Sequence, residues 1–248
     1  MTVASRSPGS TPPRSADQPS PHVTCFGMRA RRAPTVPARA GQSPEGAVVQ
    51  SADPLASRPV ASALGIAGAW AVTPAVRSDR RGSVTELFTP QVLRECAGFN
   101  LMPQQANVFV SRRRALRGIA FAQSPPGQAK LVSCVRGAVL DAVVDLRVGS
   151  PTFGRWHLQH LTGREPAALL LAEGLGHACL ALADDTTVVY LLSQPHDPAR
   201  EHTLDPLDPE LGIAWPTDIA PVLGTRAPLS LRQALDRQLL PHDAPTPG

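Results

Sequence analysis

Lysine and tyrosine are nearly absent from this chain. Lys130 is its single lysine and Tyr190 its single tyrosine among 248 residues. Aromatic side chains of all kinds make up only 4%. No run of eighteen apolar residues occurs, so no transmembrane helix is predicted. The N-terminus has no continuous apolar stretch of signal-peptide type. The four cysteines, Cys25, Cys96, Cys134 and Cys179, form no C-x-x-C pair. That pattern predicts neither a zinc site nor a disulfide framework, and fits a reduced, cytoplasmic protein. Cys134 and Cys179 sit in apolar runs and read as buried free thiols. An excess of charge is missing from the rest of the chain beyond residue 60. The net charge of +4 arises from arginines in residues 1–60, and the remainder is balanced. A neutral folded part lacks the electrostatic footprint of a nucleic-acid binder.

What is present divides the chain in two. Residues 1–63 are rich in Pro, Ser, Ala and Arg without hydrophobic periodicity, and are expected to be disordered. Two further readings of this stretch stay open: a transit peptide, or residues upstream of a true start at Met28 or later. Residues 64–242 form the expected folded domain, and residues 243–248 a disordered end. Short strand candidates follow one another between turn signals: 83–88, 116–121, 130–135, 138–146, 156–161, 169–172, 177–182 and 186–192. Strands of this kind without intervening helices predict an all-β sandwich or barrel. One helix is expected near the C-terminus, where Leu231, Ala234, Leu235 and Leu239 share a face. Ser230 and Gln233 have capping-box spacing, and the helix is expected to lie on the outside of the barrel.

Candidate chemistry starts from the rare residues. Arginine replaces lysine freely on a surface, so a lone lysine draws attention to its compact charge and shiftable pKa; chance survival is the competing reading. Arg81, Arg117 and Lys130 lie in or beside strands, and three cations aimed at one cavity would hold a diphosphate. Three solvated surface cations explain the spacing equally well. Gln105 and Asn107 place two amides on one strand face, suited to a sugar or base, or simply to solvent. His157 and His160 read as ordinary strand histidines, and Asp184-Asp185 as a turn.

These segments, taken in order, resemble the dTDP-4-dehydrorhamnose 3,5-epimerase family of cupin-fold deoxysugar epimerases, in its actinobacterial antibiotic-sugar form. The matching stretches are Asp79-Arg80-Arg81-Gly82 with Glu86, Gln105-Ala106-Asn107, Leu116-Arg117-Gly118 and Gln128-Ala129-Lys130-Leu131-Val132. They continue through Val144-Asp145-Leu146-Arg147, Ser150 to Trp156, Glu173 to His177, Tyr190, Glu201 and Gly212 to Pro216. The resemblance covers roughly Ile66 to Pro241. It implies a cupin-type double-stranded β-helix, or jelly-roll barrel, and a homodimer paired through edge strands. No cofactor, metal, nucleic acid or membrane partner is implied. The implied substrate is a dTDP-4-keto-6-deoxyhexose whose C3 and C5 protons are acidic beside the C4 ketone. Arg81, Glu86, Gln105, Asn107, Arg117 and Glu201 would hold it, with His177 lining the site and His196 near the base. Lys130 would stabilise the enolate, and Tyr190 would deliver the proton.

The departures bear on activity. The family's general base is a histidine two residues after the Arg-Gly pair, where this chain has Ala120. Its carboxylate partner belongs to a late L-S-x-K-D pattern, replaced here by Leu223-Gly224-Thr225-Arg226-Ala227. Loss of a positioned base removes on the order of 10²–10⁴ in rate. Three readings follow: an epimerase or isomerase of altered course, a homologue that binds a sugar nucleotide without turning it over, and a cupin repurposed for another reaction. A cupin metal site would need a His-x-His pair, which Ala120 interrupts, and His177 alone does not make one.

Overall fold

The computed structural model describes residues 58–225 and 227–243. The strands are β1 (Val60–Ala63), β2 (Ala69–Thr73), β3 (Ala75–Asp79), β4 (Gly82–Glu86), β5 (Gln105–Ser111), β6 (Leu116–Ala122), β7 (Lys130–Arg136), β8 (Ala138–Asp145), β9 (Trp156–Thr162), β10 (Ala168–Leu171), β11 (Leu175–Ala181), β12 (Thr186–Leu192) and β13 (Glu201–Thr203). Helix α1 spans Pro90–Ala97 and α2 spans Leu231–Asp236.

Two antiparallel sheets carry the fold. One has the order β1-β2-β10-β7-β12-β5, the other β13-β6-β11-β8-β9, and β3-β4 pair only with each other. The expected jelly roll is thus built from two open sheets, with no ladder joining them among the described residues. Gly137, at φ 75°, makes the turn from β7 to β8. It carries the chain from one sheet to the other, as the Arg136-Gly137 signal suggested.

Apolar side chains from both inner faces meet between the sheets: Val132 and Cys134 of β7, Val143 of β8, Leu161 of β9 and Val188 of β12. Each outer face is covered by a helix. Leu231 and Ala234 of α2 pack with Val144 and Leu180 behind the five-stranded sheet. Leu93 of α1 packs with Leu131 and Leu170 behind the six-stranded one. The C-terminal helix is capped as expected: Gln233 N donates to Ser230 Oγ at 3.1 Å, and Ser230 N donates to Gln233 Oε1 at 3.0 Å.

Helix α1 was not anticipated. Its punctuation is present in the sequence: Pro90 opens the first turn and Gly98, at φ 65°, closes the last, a proline–glycine asymmetry typical of helix ends. The tail boundary also moves. Val60–Ala63, assigned by sequence to the disordered segment, pair with β2 as an edge strand. Expectations for residues 1–57 and 244–248 lie outside the described residues. Cys134 and Cys179 are buried and free, as read from their apolar runs. No helix among the described residues is long and apolar enough to cross a membrane.

Candidate active site

One end of the space between the sheets is polar, and the reason is legible in β5. Its exposed positions are Ala106, Val108 and Val110, the two valines at 64% and 59%, whereas Gln105, Asn107 and Phe109 turn inward. That is the reverse of an ordinary amphipathic strand. A polar inner face cannot close into core, and a cavity of about 420 Å³ stands there, lined by these three residues together with Lys130, His177 and Tyr190.

Register explains the grouping. Side chains of paired residues in an antiparallel ladder point to the same face. Tyr190 pairs with Asn107, and Leu192 with both Gln105 and Lys130, so the six-stranded sheet presents amides, ammonium and phenol together. From the opposite sheet, His177 pairs with Ala120, and Cys179 with Arg117 and Asp141. Gly118 is what lets β6 approach β11 here. It holds φ +101°, and a Cβ would sit 2.3 Å from the His177 carbonyl oxygen.

Burial sets the electrostatics. It draws the Lys130 ammonium below its ordinary pKa, opposed by the charge of Glu201. It raises the Tyr190 phenol well above the usual tyrosine value, reinforced by Cys179 and Asp141. The phenol is therefore neutral and able to donate. Its hydroxyl lies 3.5 Å from Cys179 Sγ, its ring 5.3 Å from the His177 ring and 4.9 Å from Phe109. Burial pushes the Cys179 thiol up to about 12, so it too stays protonated.

The mouth is tied by Glu201. Its Oε1 accepts from Gln128 Nε2 at 3.1 Å and lies 2.7 Å from His196 Nδ1. Gln105 Oε1 accepts from His196 N at 2.8 Å, and Gln105 Nε2 donates to Asn107 Oδ1 at 2.8 Å. A second depression shares Gln128, His196 and Glu201 with the cavity, so the space continues outward. Arg117 donates from Nε to Ser111 Oγ at 3.0 Å, with its guanidinium 5.6 Å from the Phe109 ring centre.

The structure brings Gln105, Asn107, Arg117, Ala120, Lys130, His177, Tyr190, His196 and Glu201 to one cavity. It does not bring Arg81 or Glu86. Arg81 lies at the turn of the β3-β4 hairpin, bonded to Asp79 at 2.5 Å with its side chain 90% exposed, and Glu86 pairs with Arg77 at 2.6 Å. Proximity in sequence to the family motif does not decide which surface a self-paired hairpin faces. Of the three expected cations, only Arg117 and Lys130 line this cavity.

Sequence reasoning missed Phe109 and, more consequentially, Asp141. Asp141 Oδ1 lies 2.7 Å from His177 Nε2, with both side chains buried. An acid on the buried face of an apolar strand, in Ala138-Val139-Leu140-Asp141-Ala142-Val143-Val144, was the available signal. Among the described residues no group of three or more His, Cys, Asp or Glu gathers as metal ligands.

A two-sheet cupin-type β fold with a polar cavity holding a desolvated lysine, a neutral tyrosine and a carboxylate-bound histidine defines a class of protein that handles protons on a small polar ligand. Residues 63–235 match the model of the dTDP-4-dehydrorhamnose 3,5-epimerase family, and the chain belongs to that family. A dTDP-4-dehydro-6-deoxyglucose 3-epimerase of Streptomyces bikiniensis is 52% identical over 163 residues, which are 66% of this chain and 83% of that one. A dTDP-4-dehydrorhamnose 3,5-epimerase of Mycolicibacterium smegmatis is 55% identical over 153 residues, 62% of this chain and 75% of the relative. Among solved structures, the 4-keto-6-deoxy sugar epimerase of the novobiocin cluster of Streptomyces spheroides matches with a TM-score of 0.72 at 45% identity, covering 82% of this chain and 98% of its own. A 3'-monoepimerase from Streptomyces bikiniensis in complex with dTDP-quinovose matches with a TM-score of 0.68 at 50% identity, covering 72% and 91%.

Proposed function

We propose that this chain is a deoxysugar-nucleotide epimerase or isomerase. It acts on a dTDP-4-keto-6-deoxyhexose by exchanging a proton alpha to the C4 ketone, as a cytoplasmic homodimer without a cofactor. The observation that carries this reading is the joint placement of Lys130, Tyr190 and His177 in one cavity. Removal of an alpha proton leaves an enolate, and a buried ammonium facing the ketone oxygen stabilises that developing charge without solvent reorganisation. Tyr190, kept protonated by burial, can return a proton to carbon. Gln105, Asn107, Arg117, His196 and Glu201 would orient sugar and nucleotide.

Arg81 and Glu86 keep a binding role only if the β3-β4 hairpin reaches the cavity of a second copy. The exposed Val108 and Val110 on edge strand β5 supply an apolar surface that a second copy would cover.

Ala120 favours one alternative, a sugar-nucleotide binder without turnover, because a methyl group cannot accept a proton where the family resemblance places a base. Proton NMR with dTDP-4-keto-6-deoxyglucose in D₂O separates the two. Loss of the C3 or C5 signal faster than without protein is the expected result. Tight dTDP binding with no exchange would establish the binder instead.

A further inference from the structure

Arg117, Lys130, His177, Tyr190, His196 and Glu201 line the cavity, and they are not equivalent as proton acceptors. Arginine has no acceptor. Tyr190 is held neutral by burial. Glu201 belongs to the mouth, where its Oε1 accepts from Gln128 and the Asp197 amide and lies 2.7 Å from His196. His196 is tied to that same carboxylate, with its side chain 53% exposed.

His177 is also held by a carboxylate, but it is buried, with its side chain only 4% exposed. Its Nε2 faces Asp141 Oδ1 at 2.7 Å. A carboxylate accepts and does not donate, so Nε2 carries the hydrogen and Nδ1 keeps its lone pair. Among the described residues Nδ1 has no hydrogen-bond partner, yet it is not one of the buried polar atoms sealed away without one. It therefore opens toward the cavity that His177 lines. Among the described residues the second carboxylate oxygen, Asp141 Oδ2, is buried without a hydrogen-bond partner, and the imidazole is the group that answers this carboxylate. Across the ladder from His177 stands Ala120, a small side chain that lines the same cavity.

We propose that the His177–Asp141 pair is the proton acceptor of this cavity, with His177 a catalytic base and Asp141 its positioning residue. This inference rests on the epimerase reading above. Nδ1 takes the proton from the carbon alpha to the ketone, and the C–H bonding electrons move into the enolate, whose oxygen faces Lys130. The imidazolium is held between substrate and Asp141. A proton then returns to the carbon, either from the imidazolium or from the Tyr190 hydroxyl. In the second case the phenolate recovers its proton from the imidazolium through solvent, and the cycle closes without net change. The buried aspartate fixes the tautomer and orientation, as in other carboxylate–imidazole pairs.

The test uses the full chain, dTDP-4-keto-6-deoxyglucose in D₂O, and dTDP binding by calorimetry. His177→Asn is expected to slow deuterium uptake by on the order of 10²–10⁴, with the dTDP Kd changed by less than about twofold. Asp141→Asn is expected to slow uptake by on the order of 10², again without loss of dTDP affinity. The unaltered protein is expected to show a downfield imidazole N–H proton resonance, and Asp141→Asn is expected to abolish it, which a merely structural aspartate would not govern. Should His177→Asn fail to melt cooperatively, Asp141→Asn decides the question alone. Unaltered exchange in either folded variant overturns the dyad and leaves the epimerase reading standing. Absence of exchange in the unaltered protein, with dTDP bound, overturns both catalytic readings. Failure to bind dTDP overturns the nucleotide-sugar assignment as well.

Discussion

Two aspartates on the same strand, Asp141 and Asp145, are both fully buried, and the protein treats them in opposite ways. Asp145 is surrounded by donors. Arg147 reaches it from Nε at 2.9 Å and from its terminal nitrogen at 2.7 Å, Ser150 Oγ at 2.6 Å and Thr152 Oγ1 at 2.5 Å. Burial alone would raise its pKa, but the hydrogen bonds from Arg147, Ser150 and Thr152 together hold it below the ordinary value of 3.8. Among the described residues Asp141 has one partner, His177, and one oxygen with none. Burial dominates there and raises its carboxyl pKa. A buried charge whose valences are all met is a structural clamp. One left partly unmet, behind a histidine that lines a cavity, is a reactive device that costs stability.

The comparison can be broken first at Asp145. Asp145→Ala removes the main partner of the Arg147 guanidinium, which is only 11% exposed and keeps just the Ala67 carbonyl and Asp243, and should cost about 3–5 kcal/mol in urea unfolding. Next in size is Gly118→Ala, which drives a Cβ into the His177 carbonyl. It should cost about 1–3 kcal/mol and weaken substrate exchange by displacing the strand that carries His177. Asp141→Asn should change unfolding free energy by less than about 1 kcal/mol, since removing a partly unsatisfied buried charge offsets the lost bond. A stability loss as large as that of Asp145→Ala would erase the distinction drawn between the two.

Acidification sharpens the same contrast with opposite signs. The depressed pKa of Asp145 gives stability that is present above the ordinary carboxylate value of 3.8 and lost as pH falls through its lower native value. The raised pKa of Asp141 gives stability that is full below 3.8 and lost as pH rises through its higher native value. Thermal melts across this range should therefore show less acid sensitivity in Asp145→Asn and more in Asp141→Asn than in the unaltered chain. Parallel curves for the two variants would contradict the assignment. The smallest expected effect is remote from both: Ser230→Ala removes the α2 cap at a cost of about 1 kcal/mol, without altering exchange at the cavity.

The sequence by itself determined the strands with clear alternation or apolar runs, above all Thr186–Leu192, and the capping box that starts α2. Local rules of periodicity and hydrogen-bonding side chains act within a few residues and need no tertiary context. It also singled out Lys130 and Tyr190 by rarity, and family resemblance carried the binding residues. Tertiary structure alone decided three things. Val108 and Val110 point outward and Gln105 and Asn107 inward, because which face of β5 is inner depends on its pairing with β12. Arg81 and Glu86 stand on a hairpin paired only with itself, away from the cavity of their own chain. Asp141 meets His177 across 36 residues of sequence, because β8 and β11 lie side by side in the five-stranded sheet. Register between distant strands is set by the packing of whole faces, and no local pattern encodes it.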